Sequence, residues 1–197
     1  MRILPVVGLG VAACVTGLSS GAGKAADFAI DKAHTNIMFS VMHLGYSRMI
    51  GQFNDFKGDL SFDPKSAAKS KVSIVINAAS VDTDHEARDK HLRSPDFFNT
   101  KEFGEIRFVS TGIQTTGDKT GKISGNFTLL GVTKPVTLDV TFNGMRPHPL
   151  PKYKGVLTTG FSARTKIKRS DFGMKYALGG IGDEVEITLE VEAAEKK

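Results

Sequence analysis

From residue 27 onward the chain alternates apolar and polar residues in run after run. Val136, Leu138, Val140 and Phe142 stand against Thr137, Asp139, Thr141 and Asn143, and Val185, Ile187, Leu189 and Val191 against Glu184, Glu186, Thr188 and Glu190. A period of two puts one set on an inner face and the other in water. The pattern predicts strands near 33–44, 49–62, 71–77, 105–113, 121–130, 135–143, 155–166 and 183–193. Eight strands whose apolar faces share one interior predict an all-β fold, an antiparallel closed barrel. A barrel of that size is either filled by its own side chains or holds one ligand. In the first strand Ile37, Phe39, Val41 and His43 share a face, so His43 falls on the apolar side near a strand end. The second strand changes parity between Phe53 and Phe56, which predicts a bulge. Turn residues at Asp63-Pro64, Thr116-Gly117-Asp118, Asn143-Gly144 and Gly179-Gly180 separate the runs, and a hairpin is expected within Leu130 to Pro135.

Two segments break the alternation. Asp84 to Leu92 is rich in helix formers, has Asp82 or Asp84 available as a cap and stops at Ser94-Pro95, so a short helix is expected after the third strand. It runs into Phe97 and Phe98, adjacent aromatics that cannot share one strand face and are placed to stopper one barrel end. The other segment, Ile167 to Met174, mixes Arg169 with Phe172 and Met174. Each segment reads equally as a packed corner or as part of a ligand site.

Length and composition fit one such domain: 197 residues, 40% hydrophobic. The stretch from Ile3 to Leu18 is apolar, follows Arg2 and runs into small residues ending at Ala25-Ala26. That is the pattern of a signal peptide over 1–26, too short and glycine-rich for a membrane span, and it predicts export to the periplasm with a domain over 27–197. Cleavage there removes Cys14, the only cysteine, so no disulfide is expected. Val11-Ala12-Ala13-Cys14 also resembles a lipobox, which would leave Cys14 lipidated; the short leader and its single early basic residue weigh against this. The net charge is +5, of which Arg2 and Lys24 account for two, leaving +3 after the leader. The lysines are scattered without a basic stripe, so a nucleic-acid role is not expected.

Candidate chemistry is sparse. His34 and His43 are nine apart, and His85, Asp89 and His91 lack the spacing of a zinc motif, so no metal is expected. Ser110, Ser124 and Ser162 sit in strand-like runs without a nucleophile elbow, and Gly179-Gly180-Ile181-Gly182 leads into a strand where a phosphate loop leads into a helix. No catalytic residue or cofactor is therefore assigned, and an enzyme is not expected.

The residues Asp31-Lys32-Ala33-His34, Phe39 to Leu44, Gly51-Gln52-Phe53, Asp89 to Phe98, Glu105 to Phe108, Leu129 to Val136, Arg169 to Met174 and Gly182 to Val185 occur in an order that resembles the YceI family of polyisoprenoid-binding periplasmic proteins. The resemblance covers essentially the whole chain after the leader. It implies an extended lipocalin-like eight-stranded barrel, usually a homodimer, whose elongated pocket holds an isoprenoid or similar long amphiphile such as a polyprenyl phosphate or a quinone. The proline-rich stretch Arg146 to Pro151 departs from that pattern and makes one rim stiffer. On this reading the inward residues Phe39, Val41, Phe53, Phe127, Leu129, Leu138 and Phe142 line the channel, Phe97, Phe98 and Phe172 join them from the irregular segments, and His43, Arg93 or Arg169 forms its polar end. Two other readings stay open: a barrel serving as a scaffold in stress-related interactions or holding another class of amphiphile, and an enzyme of unassigned activity.

Overall fold

The structure, a computed structural model, describes residues 25–196. The expected leader lies outside them through residue 24, and Cys14 with it. The elements are β1 (Ala26–Ile30), β2 (Asn36–His43), β3 (Ser47–Phe53), β4 (Phe56–Phe62), β5 (Lys71–Asn77), β6 (Val81–Asp82), α1 (Glu86–Leu92), β7 (Glu105–Thr115), β8 (Thr120–Leu129), β9 (Val132–Pro147), β10 (Leu157–Lys168) and β11 (Ile181–Glu195). Ala26, assigned to the leader from sequence, already pairs with Phe62.

Eight strands close a ring in the order β1-β4-β5-β7-β8-β9-β10-β11, sealed by β1 against β11. All the pairings are antiparallel, so the eight-stranded barrel expected from the alternation is the fold. The strand β11 is long enough to serve two neighbours: Ile181 to Glu190 pair with β2 and Ala193 to Glu195 with β1. Beyond β2, β3 and β6 extend the sheet as a flank. The barrel therefore has two differently built ends. Its lower end carries the β4–β5 corner and the β7–β8 hairpin; its upper end carries the β2–β3 and β8–β9 turns, α1 and the loop between β10 and β11.

One strand was not expected and one expected strand is split. β1 precedes the run 33–44, which starts as a strand only at Asn36, and between them the chain turns over Asp31 to Thr35, where Asp31 Oδ1 accepts from the Ala33 N–H at 2.8 Å. At this break the buried Thr35 hydroxyl donates to the Glu192 carbonyl at 3.2 Å and accepts from the Glu192 N–H at 3.1 Å, so one side chain carries the ladder across the gap. The run 49–62 breaks at Asn54-Asp55, and the inward set moves from Gly51 and Phe53 to Phe56, Leu60 and Phe62, the parity change read from sequence. The β8–β9 turn is a two-residue hairpin with both Leu130 and Gly131 at positive φ, 51° and 73°, the geometry that matches strand twist.

The helix is where expected, but its cap is not: His85 Nδ1 accepts from the Arg88 N–H at 3.2 Å, and Asp84 instead sits at φ 58°. The residue at this cap only has to offer an acceptor, and a neutral imidazole nitrogen does so.

The interior holds two aromatic triads. In the lower half Phe62 packs on Phe142 and Phe161 with ring centroids 5.3 and 5.1 Å apart, beside Phe28, which is fully buried at the seam. In the upper half Phe53 packs on Phe39 and Phe98 at 5.6 and 5.4 Å. Full burial of each such ring contributes up to about 3 kcal/mol.

Candidate functional site

The barrel interior is not filled. Two cavities of about 290 and 260 Å³ occupy its upper and lower halves. Ile74, Phe108, Leu138 and Leu189 line both and form a waist between them. The waist is tight because Phe108 lies over Gly125: a Cβ at that glycine would stand 2.3 Å from Phe108 Cζ. Gly51 makes the same accommodation for Phe39, whose Cζ would lie 2.4 Å from an added Cβ.

Strand alternation supplies the walls of the upper chamber. Phe39, Val41 and His43 from β2, Phe53 from β3, Phe127 and Leu129 from β8, and Leu138 from β9 all face it. Phe97 and Phe98 cap it from the segment after α1 and are buried. Phe98 reaches the Phe39 and Phe53 rings, whereas Phe97 stacks edge-on with His91 and Tyr176 at 5.0 and 5.3 Å. Phe142, placed in the same channel from sequence, lines the lower chamber. Phe172 is 2% exposed and lines neither; it supports the wall from behind, edge-on to Phe127 at 5.4 Å.

The polar residues separate in a way their positions in the sequence did not reveal. His43 stands exposed at the upper mouth. Arg93 lines neither chamber: its guanidinium donates to the Ala79 and Val81 carbonyls, both at 2.7 Å, and ties the segment after α1 to β6. Arg169 reaches the upper chamber yet is 2% exposed, and it donates to the carbonyls of Gly182 at 2.9 Å, Met174 at 3.0 Å and Ile181 at 2.9 Å. Burial lowers its pKa from the usual guanidinium value, opposed by the nearby Asp183 carboxylate. Arg169 thus pins the β10–β11 loop over the barrel end. Each guanidinium offers five N–H groups in a planar fork, which suits arginine to gathering several carbonyls at once.

Sequence reasoning missed Arg88, His91 and Tyr176. Arg88 lines the chamber while its Nε donates to Thr83 Oγ1 at 2.7 Å, and the same Thr83 hydroxyl donates to buried Asp89 at 2.5 Å. His91 also lines it and bonds Asp96 at 2.8 Å. Around this mouth Leu44, Tyr46, Ile50, Tyr176 and Leu178 expose large apolar surface. The helical spacing of Arg88 and His91 was visible, but nothing in it says which face meets a barrel.

Among the described residues, the serines weighed as nucleophiles are engaged in the strand framework. Ser110 accepts from the Val72 N–H, Ser124 pairs with Thr137, and Ser162 donates to Glu190. One group of metal-capable side chains was not foreseen, the surface set Asp31, His34 and Glu192 near the β1–β2 break. His34 Nδ1 bonds Asp31 Oδ2 at 2.8 Å, which raises the His34 pKa. No helix among the described residues is long and apolar enough to cross a membrane.

Residues 28–193 match the family model of the YceI-like domain. The chain is 44% identical over 181 residues to the protein YceI of Escherichia coli O157:H7, spanning 91% of this chain and 92% of that one. Among solved structures, the Campylobacter jejuni YceI protein superposes with a TM-score of 0.72 at 36% identity, covering 85% of this chain and 96% of that one. A polyisoprenoid binding domain from Saccharophagus degradans, implicated in plant cell wall breakdown, superposes at a TM-score of 0.63 and 15% identity, covering 88% and 100%; that likeness is one of fold.

Proposed function

The chain belongs to the YceI-like family, and on that premise we propose that it is an exported binding protein, without catalysis of its own, that carries one long-chain isoprenoid-type lipid in the barrel. The observation that carries the proposal is the upper chamber, about 290 Å³ walled almost wholly by aliphatic and aromatic side chains, with polar groups gathered at its mouth. That is the usual composition of a site for an apolar ligand. Each methylene taken out of water contributes about 0.8 kcal/mol, so a branched hydrocarbon supplies ample driving force. Selectivity then falls to shape and to the mouth, where His43, His91 and Arg88 stand.

The cargo class is a polyprenyl phosphate or an isoprenoid quinone. The polyisoprenoid binding domain of the same fold supports this reading. The signal-peptide pattern of residues 1–26 supports a periplasmic location, and the family resemblance supports a homodimer.

The test is organic extraction and mass spectrometry of protein purified without detergent from its native compartment, with native mass spectrometry for stoichiometry. One isoprenoid or quinone per chain is expected. Protein that is lipid-free and takes up neither polyprenyl phosphate nor quinone would overturn the proposal. Phe127→Ala, in the upper chamber, is expected to weaken retention of the lipid at least tenfold in folded protein.

A further inference from the structure

Two segments border the mouth of the upper chamber, the β2–β3 hairpin tip over residues 42–51 and the loop over residues 174–181 that leads into β11. They are joined: the Leu44 N–H donates to the Gly180 carbonyl at 2.7 Å, and Leu44 Cδ2 lies 2.9 Å from where a Cβ at Gly180 would stand. The Tyr46 N–H returns to the His43 carbonyl at 3.0 Å across Leu44 and Gly45, both at positive φ, which holds the tip in one shape. Large apolar side chains stand out from this frame. Tyr46 is 88% exposed, Ile50 64% and Leu44 56%, and Met42, Tyr176 and Leu178 are exposed as well. These are six of the nine exposed large hydrophobic residues among the described residues; the other three, Val109, Val132 and Leu150, lie in other segments. Ile50 also lines the chamber, so the apolar surface continues into the mouth.

We infer that this rim is a membrane-docking surface, which seats the barrel mouth on the head-group region of an anionic bilayer. On the carrier reading, which this inference presupposes, a cargo too apolar for water then passes between bilayer and chamber without crossing it. Neither segment contains a carboxylate, and together they hold two cations, Arg48, which also pairs with Glu186 at 3.3 Å, and Lys175. Aliphatic side chains and tyrosine with cations and no acid suit the boundary between acyl chains and negative head groups. Tyrosine places its ring on the apolar side of that boundary and its hydroxyl on the wet side. The outer wall of the barrel differs, with ion pairs such as Lys122–Asp139 and Lys166–Glu184, and it stays in water, so contact is confined to the rim. A side chain as exposed as Tyr46 projects from the fold. A fluid phase moulds around such a projection, whereas a second copy of the chain would have to present a matching hollow.

The test mixes protein purified without detergent from its native compartment with vesicles of phosphatidylethanolamine and phosphatidylglycerol and, separately, of phosphatidylcholine alone. Binding is expected to be about fivefold tighter to the anionic vesicles, the effect of one cation near the surface. Tyr46→Glu combined with Leu178→Glu should weaken vesicle binding at least tenfold. Neither side chain lines a chamber, so uptake of farnesyl phosphate should be unchanged. Leu150→Glu, at the opposite barrel end, should leave vesicle binding as it is. All variants share one N-terminus, so its contribution cancels. The chain has no tryptophan, and Tyr46→Trp therefore reports on the tip alone: its emission should shift to the blue when vesicles are added and be quenched by brominated acyl chains.

Vesicle binding that survives the double substitution, or that Leu150→Glu removes, would overturn the inference, as would tryptophan emission indifferent to vesicles. A tip covered by a second copy would overturn it too. The emission would then be blue-shifted before lipid is added, and the double variant would turn a dimer into a monomer in analytical ultracentrifugation. The two proposals fail separately. Rim-dependent vesicle binding by protein that takes up no isoprenoid sinks the carrier reading and leaves the docking surface standing; uptake of farnesyl phosphate by protein that ignores vesicles does the reverse.

Discussion

The lower half of the barrel is a closed ring of eight strands, whereas the upper half adds the flank β2-β3-β6, whose last strand pairs only with β3, and is finished by α1 and the Phe97–Phe98 segment. The two halves use aromatic triads of similar spacing, yet their backbones differ. Of the six non-glycine residues at positive φ among the described residues, five lie at the upper end, Leu44, Asp84, Asn99, Leu130 and Ala177, and one, Lys154, at the lower. Each costs on the order of 1 kcal/mol, and such strain persists where the surroundings over-determine it. The lower ring is held by its strand ladder. The upper end is held by arginines on carbonyls and by edge-on aromatic contacts, which are local and can be lost one at a time.

The largest effect that would test this contrast is truncation of one ring in each half. Phe28→Ala, at a site with no exposure, should cost about 4 kcal/mol in urea unfolding. Phe98→Ala should cost about 2 kcal/mol, because one side of that ring already faces a cavity and has fewer contacts to lose. Equal losses would erase the distinction between a packed half and an open one.

Adding a methyl group tests the same point from the other direction. At Gly125 the added Cβ would meet the Phe108 ring and the Val109 carbonyl at 2.7 Å, and backbone cannot yield easily; Gly125→Ala should cost about 3 kcal/mol. At Gly51 the neighbours are the Phe39 ring and the Thr83 methyl, and Phe39 borders open space, so Gly51→Ala should cost about 1 kcal/mol. A reversed order would mean that the waist is softer than the upper wall.

A smaller loss is expected at the junction of the halves. Thr35→Val keeps the shape but removes both bonds to Glu192 and leaves its part-buried N–H unmet, for about 2 kcal/mol. Hydrogen exchange should quicken there first.

The smallest effect is a pH dependence beside that junction. The bond to Asp31 raises the His34 pKa, so its stabilising contribution is fully present below the ordinary imidazole value of about 6.5 and is lost as pH rises through the raised value. For Asp31, burial pushes the pKa up, but the bonds from His34 and the Ala33 N–H outweigh it and the net shift is downward, so its contribution is lost only as pH falls through that lowered value. His34→Gln should flatten the decline in stability that sets in as pH rises above the ordinary imidazole value of about 6.5, and leave the acid side largely in place.

The ring was legible because burial on one face writes a period of two into the sequence. The parity change at Phe53 and Phe56 was legible for the same reason. The separate strand β1 and the division of the run 49–62 into two strands were not, since Thr35 and Asp55 look like ordinary strand or turn residues until their partners from distant segments are in place. The site was half legible. Inward Phe and Leu positions follow from alternation, and the cap by Phe97 and Phe98 follows from two adjacent aromatics having no common strand face. The roles of Arg93 and Arg169 were hidden, because a guanidinium that gathers carbonyls and one that meets a ligand have the same letter and the same kind of neighbours. The lower chamber was hidden too: Ser70 reads as a loop serine, and only the fold shows that nothing in the protein answers its hydroxyl.

One consequence follows from the clasp between Thr35 and Glu192, which spans 157 residues of sequence. Around the ring the seams from β4 to β11 join strands that follow one another along the chain, with β6 and α1 set aside between β5 and β7, so six of the eight seams can zip up hairpin by hairpin. The last seam cannot. It joins the first strands to the final one, so its loop-closure entropy falls due before any contact across it exists. Until then the half-made sheet has two bare edges and an apolar face open along its whole length. The rate at which β11 finds β1 and β2 therefore sets both how fast the protein matures and how long it is exposed to pairing with a neighbour.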